Sequence, residues 1–252
     1  MTADGLTRAV REQIGLGRLL PLGGPLDGAW ITEAAAGAVL AGAVAREVPG
    51  VRLTGVPRVA LADPERAGDP VVPPPPGAVS PGPLRVSAGF AAGGGEPLTA
   101  VAGRLRAVLV TAAERLGLRV AETDLRVTDL LDGPPGAAEP VRAPRPPDAR
   151  PASDPDESRA VAAALAMPGT ARLTGSLGGR GRGVRIDDRA DGGTLPRRHV
   201  RVELATVSGH RAVDVARGVR AAVRDALDHP TVAVLVTAVD EEAPVPPTSA
   251  VP

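Results

Sequence analysis

Cysteine is absent from the 252-residue chain, which removes disulfides, thiolate catalysis and Cys-ligated zinc together. Lysine is absent as well: all 29 basic residues are arginine, so no Walker-type lysine is available. Tyrosine is missing, and Trp30 and Phe90 are the only aromatic residues, which leaves no platform for stacking bases. Charge of one sign is also lacking. With 29 acidic and 29 basic residues the net charge is zero, and nothing in it demands a nucleic acid or an anionic membrane as partner. No run of 18 apolar residues occurs, and the opening MTADGLTRAVREQIGLGRLLPLGG has no uninterrupted apolar core. The pattern therefore predicts a soluble, cytoplasmic protein with no direct membrane span.

What the chain does have is alanine, glycine, valine and proline. A hydrophobic content of 43% is enough for real cores, and the length suits two small domains. Leu6, Val10 and Ile14 recur at helical spacing, predicting a short amphipathic N-terminal helix. Three segments, 64–83, 134–155 and 244–252, hold 20 of the 28 prolines. VVPPPPGAVSPGP has no apolar period and reads as extended polyproline, a spacer lying outside any packed core. The middle segment is the natural boundary between two units.

On either side of that boundary the same order of elements appears. PGVRLTG at 49–55 returns as PGTARLTG at 168–175. In the first half a helix is expected over 31–48, capped by Thr32, with Leu40, Val44 and Val48 on one face. Strands follow at 58–62 and 84–90, a helix at 98–116 and a strand at 124–130. In the second half Asp154, Pro155 and Glu157 occupy the N-cap, N1 and N3 positions of a helix ending near Met167. Strands GVRIDD and HVRVELA, a helix over 213–227 and a strand over 231–239 complete it. VAGRLRAVL at 101–109 matches VARGVRAAV at 215–223, making Arg106 and Arg220 equivalent, and Val86 is matched to Val202. Duplication of one module is the simplest account. Pro-Gly ends the first helix of each copy because proline cannot continue it and glycine reverses the chain, so PGVRLTG reads as a connector that tucks Val51 or Leu53 into the core.

These strings resemble the alkaline shock, or envelope stress response, family. PGTARLTGSLGG, GVRI, VRVEL, VARGVRAAV and VAVLVTAV carry the resemblance in the second half, and the first half looks like a diverged copy with a proline-rich insert. The chain as a whole is also similar to actinobacterial proteins carrying a nucleopolyhedrovirus fibre-protein name, a name that implies coiled coil, although no sustained heptad is present here. The resemblance implies a non-enzymatic cytoplasmic protein that self-associates or is held at the membrane by a partner. The family's Tyr-Gly before the second helix stands here as Ser208-Gly209-His210.

Catalytic patterns are weak. His199, His210 and His229 are the only histidines. His199 and His210 are too far apart in sequence for a helical metal pair, although both could approach Asp187 or Asp188 in space, the two strands being adjacent. Ser176 in TGSLGG follows a helix rather than a strand and reads as a turn serine. Asp187 and Asp188 are consecutive on a strand and point to opposite faces, which is poor geometry for paired acid and base. GSLGGRGRG could cradle an anion, but a dinucleotide loop runs from strand to helix and here the order is reversed. Arg172, Arg180, Arg182, Arg185, Arg189, Arg197, Arg198 and Arg201 cluster in the second half, interleaved with Asp187, Asp188 and Asp191, as on a mixed solvated face.

The expectation is an α/β (α+β) protein of two tandem modules, each α-β-β-α-β with two helices on one face of a three-stranded sheet. The units are 1–28, 29–132 with its insert at 64–83, a linker at 133–153, 154–242, and a tail at 243–252. No catalytic residue, cofactor, metal or small-molecule substrate is expected. Partner-binding residues would be Arg106, Arg220, Arg180, Arg182, Arg197 and Arg198. The expected role is a scaffold or adaptor acting by self-association or through a membrane-bound protein, and the alternative is RNA binding by the arginine-rich hairpin at 178–201.

Overall fold

The computed structural model describes residues 15–131, 145–177, 181–189 and 197–241. The elements run β1 (Leu19–Leu22), β2 (Ala29–Thr32), α1 (Glu33–Glu47), β3 (Val51–Leu53), β4 (Arg58–Leu61), β5 (Leu84–Gly93), α2 (Leu98–Leu116) and β6 (Val120–Leu131). They continue with α3 (Pro155–Leu165), β7 (Thr170–Leu173), β8 (Val184–Arg189), β9 (Arg197–Val207), α4 (Ala212–Ala226) and β10 (Thr231–Asp240). The class is mixed α/β, with two sheets. From α1 onward the order α-β-β-β-α-β occurs twice, one strand more per copy than the sequence suggested.

The extra strand is the repeated string itself. Gly50 and Gly169 sit at φ of 82° and 85°, the left-handed region that glycine occupies without cost, and each turns the chain out of its helix. The residues that follow then pair instead of merely connecting: Leu53 with Phe90, and Leu173 with Leu204. In each copy two short strands lie end to end, antiparallel, along one edge of a long central strand. These are β3 and β4 on β5, and β7 and β8 on β9. A parallel strand, β6 or β10, takes the other edge.

An irregularity common to both copies fixes their alignment. Phe90 pairs with Val127 but Ala91 with Asp129; Leu204 pairs with Val236 but Ala205 with Ala238. The extra residues are Thr128 and Thr237, whose hydroxyls donate to the carbonyls of Phe90 at 3.1 Å and Leu204 at 3.2 Å. Phe90 therefore matches Leu204, 114 residues on, the same spacing as Val101 and Val215. Val86 thus matches Val200, and the expected match to Val202 is two residues off, because alternating strands look alike when slipped by two.

Local chemistry explains the helix starts. The Thr32 side chain accepts from the Ala35 amide at 3.2 Å, capping α1, but the helix begins later than expected because Ala29–Thr32 is a strand. Ile31 faces the helices, whereas Trp30 lies in a separate cluster on the other side of the sheet. The Asp154 side chain accepts from the Glu157 amide at 2.8 Å, capping α3 with Pro155 in its first turn, and the Glu157 carboxylate reaches back to accept from the Ser153 amide at 2.9 Å.

The N-terminal hairpin does not stay with the first copy. β2 runs parallel to β10, with Ala29 beside Val234 and Ile31 beside Val236, and β1 adds outside it. The boundary expected at residue 28 therefore falls inside a hairpin that extends the second sheet to six strands. The helices of both copies and the inner faces of both sheets share one apolar core.

The proline-rich insert is also not the plain spacer the sequence suggested. It packs over the outer face of the larger sheet, where Val72 is buried with Leu16, Leu19, Trp30 and Leu235. Trp30 Nε1 donates to the Val79 carbonyl at 3.2 Å, and the Val79 amide donates to Leu19 at 2.8 Å. Extended proline-rich backbone leaves its polar groups free, and here β1 and the β1–β2 turn receive them. The end of the linker behaves similarly: the Ala149 amide donates to Leu173 at 3.0 Å and the Arg150 amide to Gly181 at 2.7 Å. The expected helix through Leu6, Val10 and Ile14, the part of the 133–153 linker before residue 145 and the tail at 243–252 lie outside the described residues.

Candidate functional site

Alignment of the two copies sets Gly89 on β5 against Glu203 on β9, and the adjoining connection confirms it: the Thr54 amide donates to Gly89 and the Thr174 amide to Glu203, both at 3.0 Å. These residues occupy the outer faces of the two sheets, away from the helices, and there the copies diverge.

In the second copy the outer face is closed. The connection between β7 and β8 is the glycine-rich TGSLGGRGRG, long enough to fold back over the sheet. The Ser176 and Leu177 amides donate to the Glu203 carboxylate at 2.9 Å and 3.0 Å, and Leu177 joins the Trp30 cluster. Glu203 is only 1% exposed. Burial pushes its carboxyl up to about 7, against the opposing pull of the two amides and of Arg201. Arg201 Nε stands 3.5 Å from Glu203 Oε1, within ion-pair range although it makes no hydrogen bond. Thr174 and Thr237 share a hydrogen bond of 2.7 Å beneath the loop. The glycine-rich segment does serve an anion, as its composition hinted, but the anion is the protein's own carboxylate. Ser176, expected to follow a helix, follows β7 instead, and it is buried.

In the first copy the same place is open. Only four residues, Thr54 to Pro57, separate β3 from β4, too few to cover the sheet. A shallow trough of roughly 350 Å³ remains, lined by Thr54, Arg58, Ser87, Gly89, Asp124 and Arg126 among others. A Cβ on Gly89 would stand 2.5 Å from Thr54 Oγ1, so glycine keeps the floor flat. Among the described residues, Arg52, Arg58 and Arg126 have neither a hydrogen-bonded nor an ion-paired side-chain partner, whereas Arg85 is held by Glu122 at 2.6 Å and Asp124 at 3.4 Å.

The predicted partner-binding arginines separate into different roles. Arg220 is a structural clamp: its Nε donates to the Val232 carbonyl at 3.0 Å, and Nη1 to Leu26 at 2.7 Å and Asp27 at 3.2 Å. Together with Arg217, which reaches Asp27 at 2.7 Å, it fastens the β1–β2 turn to α4. Arg106, its equivalent on α2, is exposed and has no such partner among the described residues. Arg198 pairs with Asp156 at 2.7 Å, and Arg182 is exposed beside Arg150. Arg197 opens β9, and Arg180 lies outside the described residues. Within the same arginine-rich region Arg185 pairs with Asp187 at 2.9 Å, and Arg172 with Asp148 at 2.7 Å and Asp240 at 2.9 Å. Of the interleaved acids Asp187 is thus engaged and Asp188 stands 3.9 Å from Arg198, as on the mixed face anticipated, while Asp191 lies outside the described residues.

The strand pairing does set His199 opposite Asp187, but Thr231 is the hydrogen-bond partner of His199 Nδ1, at 2.9 Å. Among the described residues no three histidine or carboxylate groups gather closely enough to hold a metal ion, and no helix is long and apolar enough to cross a membrane. Glu203 was missed in the sequence because an acid alternating with valines reads as the solvent face of a strand. A flexible glycine loop able to reach back over that face was the available signal. Comparison with known proteins leaves this geometry to speak for itself: no family model matches the chain, and neither does any curated protein.

The divergence of the two arginines predicts unequal consequences. Arg220→Ala strips three carbonyls of their donor and is expected to cost roughly 2 kcal/mol, while Arg106→Ala is expected to stay within about 0.5 kcal/mol of the parent. Urea unfolding of the two variants distinguishes them, and equal losses would contradict the clamp.

Proposed function

We propose that the protein is a non-enzymatic cytoplasmic scaffold or adaptor, acting by self-association or by binding a membrane-anchored protein, as its resemblance to the alkaline shock family implies. The observation that carries this reading is the asymmetry of the copies. One outer face is closed around Glu203 by the Ser176 and Leu177 amides, while the other presents an open trough whose Arg58 and Arg126 have no hydrogen-bonded or ion-paired side-chain partner among the described residues. A duplicated module with one copy closed and the other open suits a protein that is itself a stable platform and offers one surface to a partner. The arginine-rich hairpin is less suited to RNA, because Arg185 and Arg198 face acids at ion-pair distance and no aromatic residue lies within it.

Two differently tagged full-length copies, expressed together in the native host and purified from membrane and soluble fractions, test the reading. Recovery of one tag with the other, or of an integral membrane protein in fixed ratio, supports it. Recovery of RNA that salt releases, with neither of these, transfers the function to nucleic acid.

A further inference from the structure

β6 is the longest strand, Val120–Leu131, and among the described residues it pairs with β5 alone. Its sister β10 is paired on both edges, with β9 and with β2. Among the described residues the same place in the module is thus filled in one copy and not in the other. The outer edge of β6 is not blunted along its middle: register shifts occur only at its two ends, leaving Glu122–Val127 regular. Val127 and Leu130 are 39% and 59% exposed. A free edge of this length is a template for another strand.

The geometry points to this edge as the seat of a two-fold pairing with β6 of a second copy, antiparallel and centred on Leu125. The inference rests on the self-association reading above and names its surface. Three observations carry it. First, the backbone is set for it. The Val234 amide donates to Gly28 at 3.0 Å, so at that position the module turns its polar backbone to the outer edge. Leu125 is the equivalent residue, pairing with Ala88 as Val234 pairs with Val202. Second, the charges are self-complementary. About a two-fold axis at Leu125, Asp124 of each copy lies opposite Arg126 of the other, and Thr123 opposite Val127. Arg126, which has no hydrogen-bonded or ion-paired side-chain partner among the described residues, gains one carboxylate in each copy, and opposite charges on facing strands stabilise the pairing. A parallel arrangement would set like against like. Third, α2 packs against β6 as α4 packs against β10. Arg220 on α4 links the Val232 carbonyl of β10 to the turn of the added hairpin. Arg106 holds the matching place on α2, exposed beside a seam that a second copy would complete.

Sedimentation equilibrium of the purified full-length chain over a concentration series tests this. The parent is expected to dimerise. Arg126→Glu, which puts two acids opposite two acids, is expected to raise the dissociation constant by about tenfold or more, with its thermal melt unchanged. Asp124→Arg is expected to weaken pairing likewise, and an equimolar mixture of the two variants to restore a dimer. Arg106→Ala, which leaves the strand untouched, is expected to weaken the dimer by a smaller factor. A parent dimer that Arg126→Glu leaves intact overturns the assignment to β6, while self-association through another surface stands. A parent that is monomeric throughout overturns it too, and the scaffold reading then depends on recovery of a membrane-anchored partner.

Discussion

Trp30→Ala is expected to lower the unfolding free energy by about 3–5 kcal/mol, the range for deleting a large buried aromatic side chain. Trp30 is fully buried, and it is the central apolar residue between the outer face of the larger sheet and the proline-rich insert. Truncation leaves a cavity ringed by Leu16, Leu19, Val72 and Leu235, and it deprives the Val79 carbonyl of its indole donor. Val72 of the insert is buried in the same cluster as Trp30, so the loss should be local as well as global. Trypsin cleavage at the exposed Arg66 is expected to accelerate in the variant before the rest of the chain is attacked. Trp30→Phe, which restores most of the volume, should recover much of the stability. A melt indistinguishable from the parent would show that the insert does not depend on this side chain.

Stability is further expected to fall as the pH rises from about 5 to 8, by roughly 3 kcal/mol from Glu203 alone. The carboxyl is raised to about 7 in the folded chain from an ordinary value of 4.5. The folded state thus holds this proton more tightly than the unfolded state. Its contribution is fully present below pH 4.5, declines as the pH climbs through 7, and is absent above about 8. Arg201 is the charged group attracting Glu203 among the described residues, and together with the Ser176 and Leu177 amides it does not offset the burial. Glu203→Gln keeps an oxygen to accept both amides and removes the titration. The difference in unfolding free energy between variant and parent, followed from pH 5 to pH 8 by urea unfolding, isolates this group from the other carboxylates. The variant should gain on the parent as the pH rises, and parallel curves would falsify the assignment.

Local pattern carried the order of elements far. The helix expected over 98–116 forms as Leu98–Leu116, and the strand expected over 231–239 as Thr231–Asp240, because apolar period and end signals act within a few residues. The repeated Pro-Gly strings marked the two copies correctly. What could not be read were the pairings made over long distances. Nothing near Ala29–Thr32 announces that it will lie beside β10, although Thr32 donates its hydroxyl to the Thr237 carbonyl, 205 residues away. The proline-rich insert was misplaced for a related reason: lacking period, it gave no sign that Val72 and Val79 would meet Trp30. Arg106 and Arg220 lie 114 residues apart, the spacing at which the two copies align. Their different roles follow from the hairpin that reaches only one of them, and no local pattern records that.

The position of β10 between β2 and β9 has a consequence for how the chain is made. Among the described strands β10 is the last to leave the ribosome, yet it is the one that joins the β1–β2 hairpin to the larger sheet. About two hundred residues separate Ala29 from Thr231, and at bacterial or slower translation speeds β2 waits roughly 10–40 s for its neighbour. Throughout that interval Trp30 has no strand beside it on that edge. A nascent chain stalled before Thr231 therefore carries an unsheltered hairpin, and the native architecture becomes attainable only once Thr231–Asp240 is free.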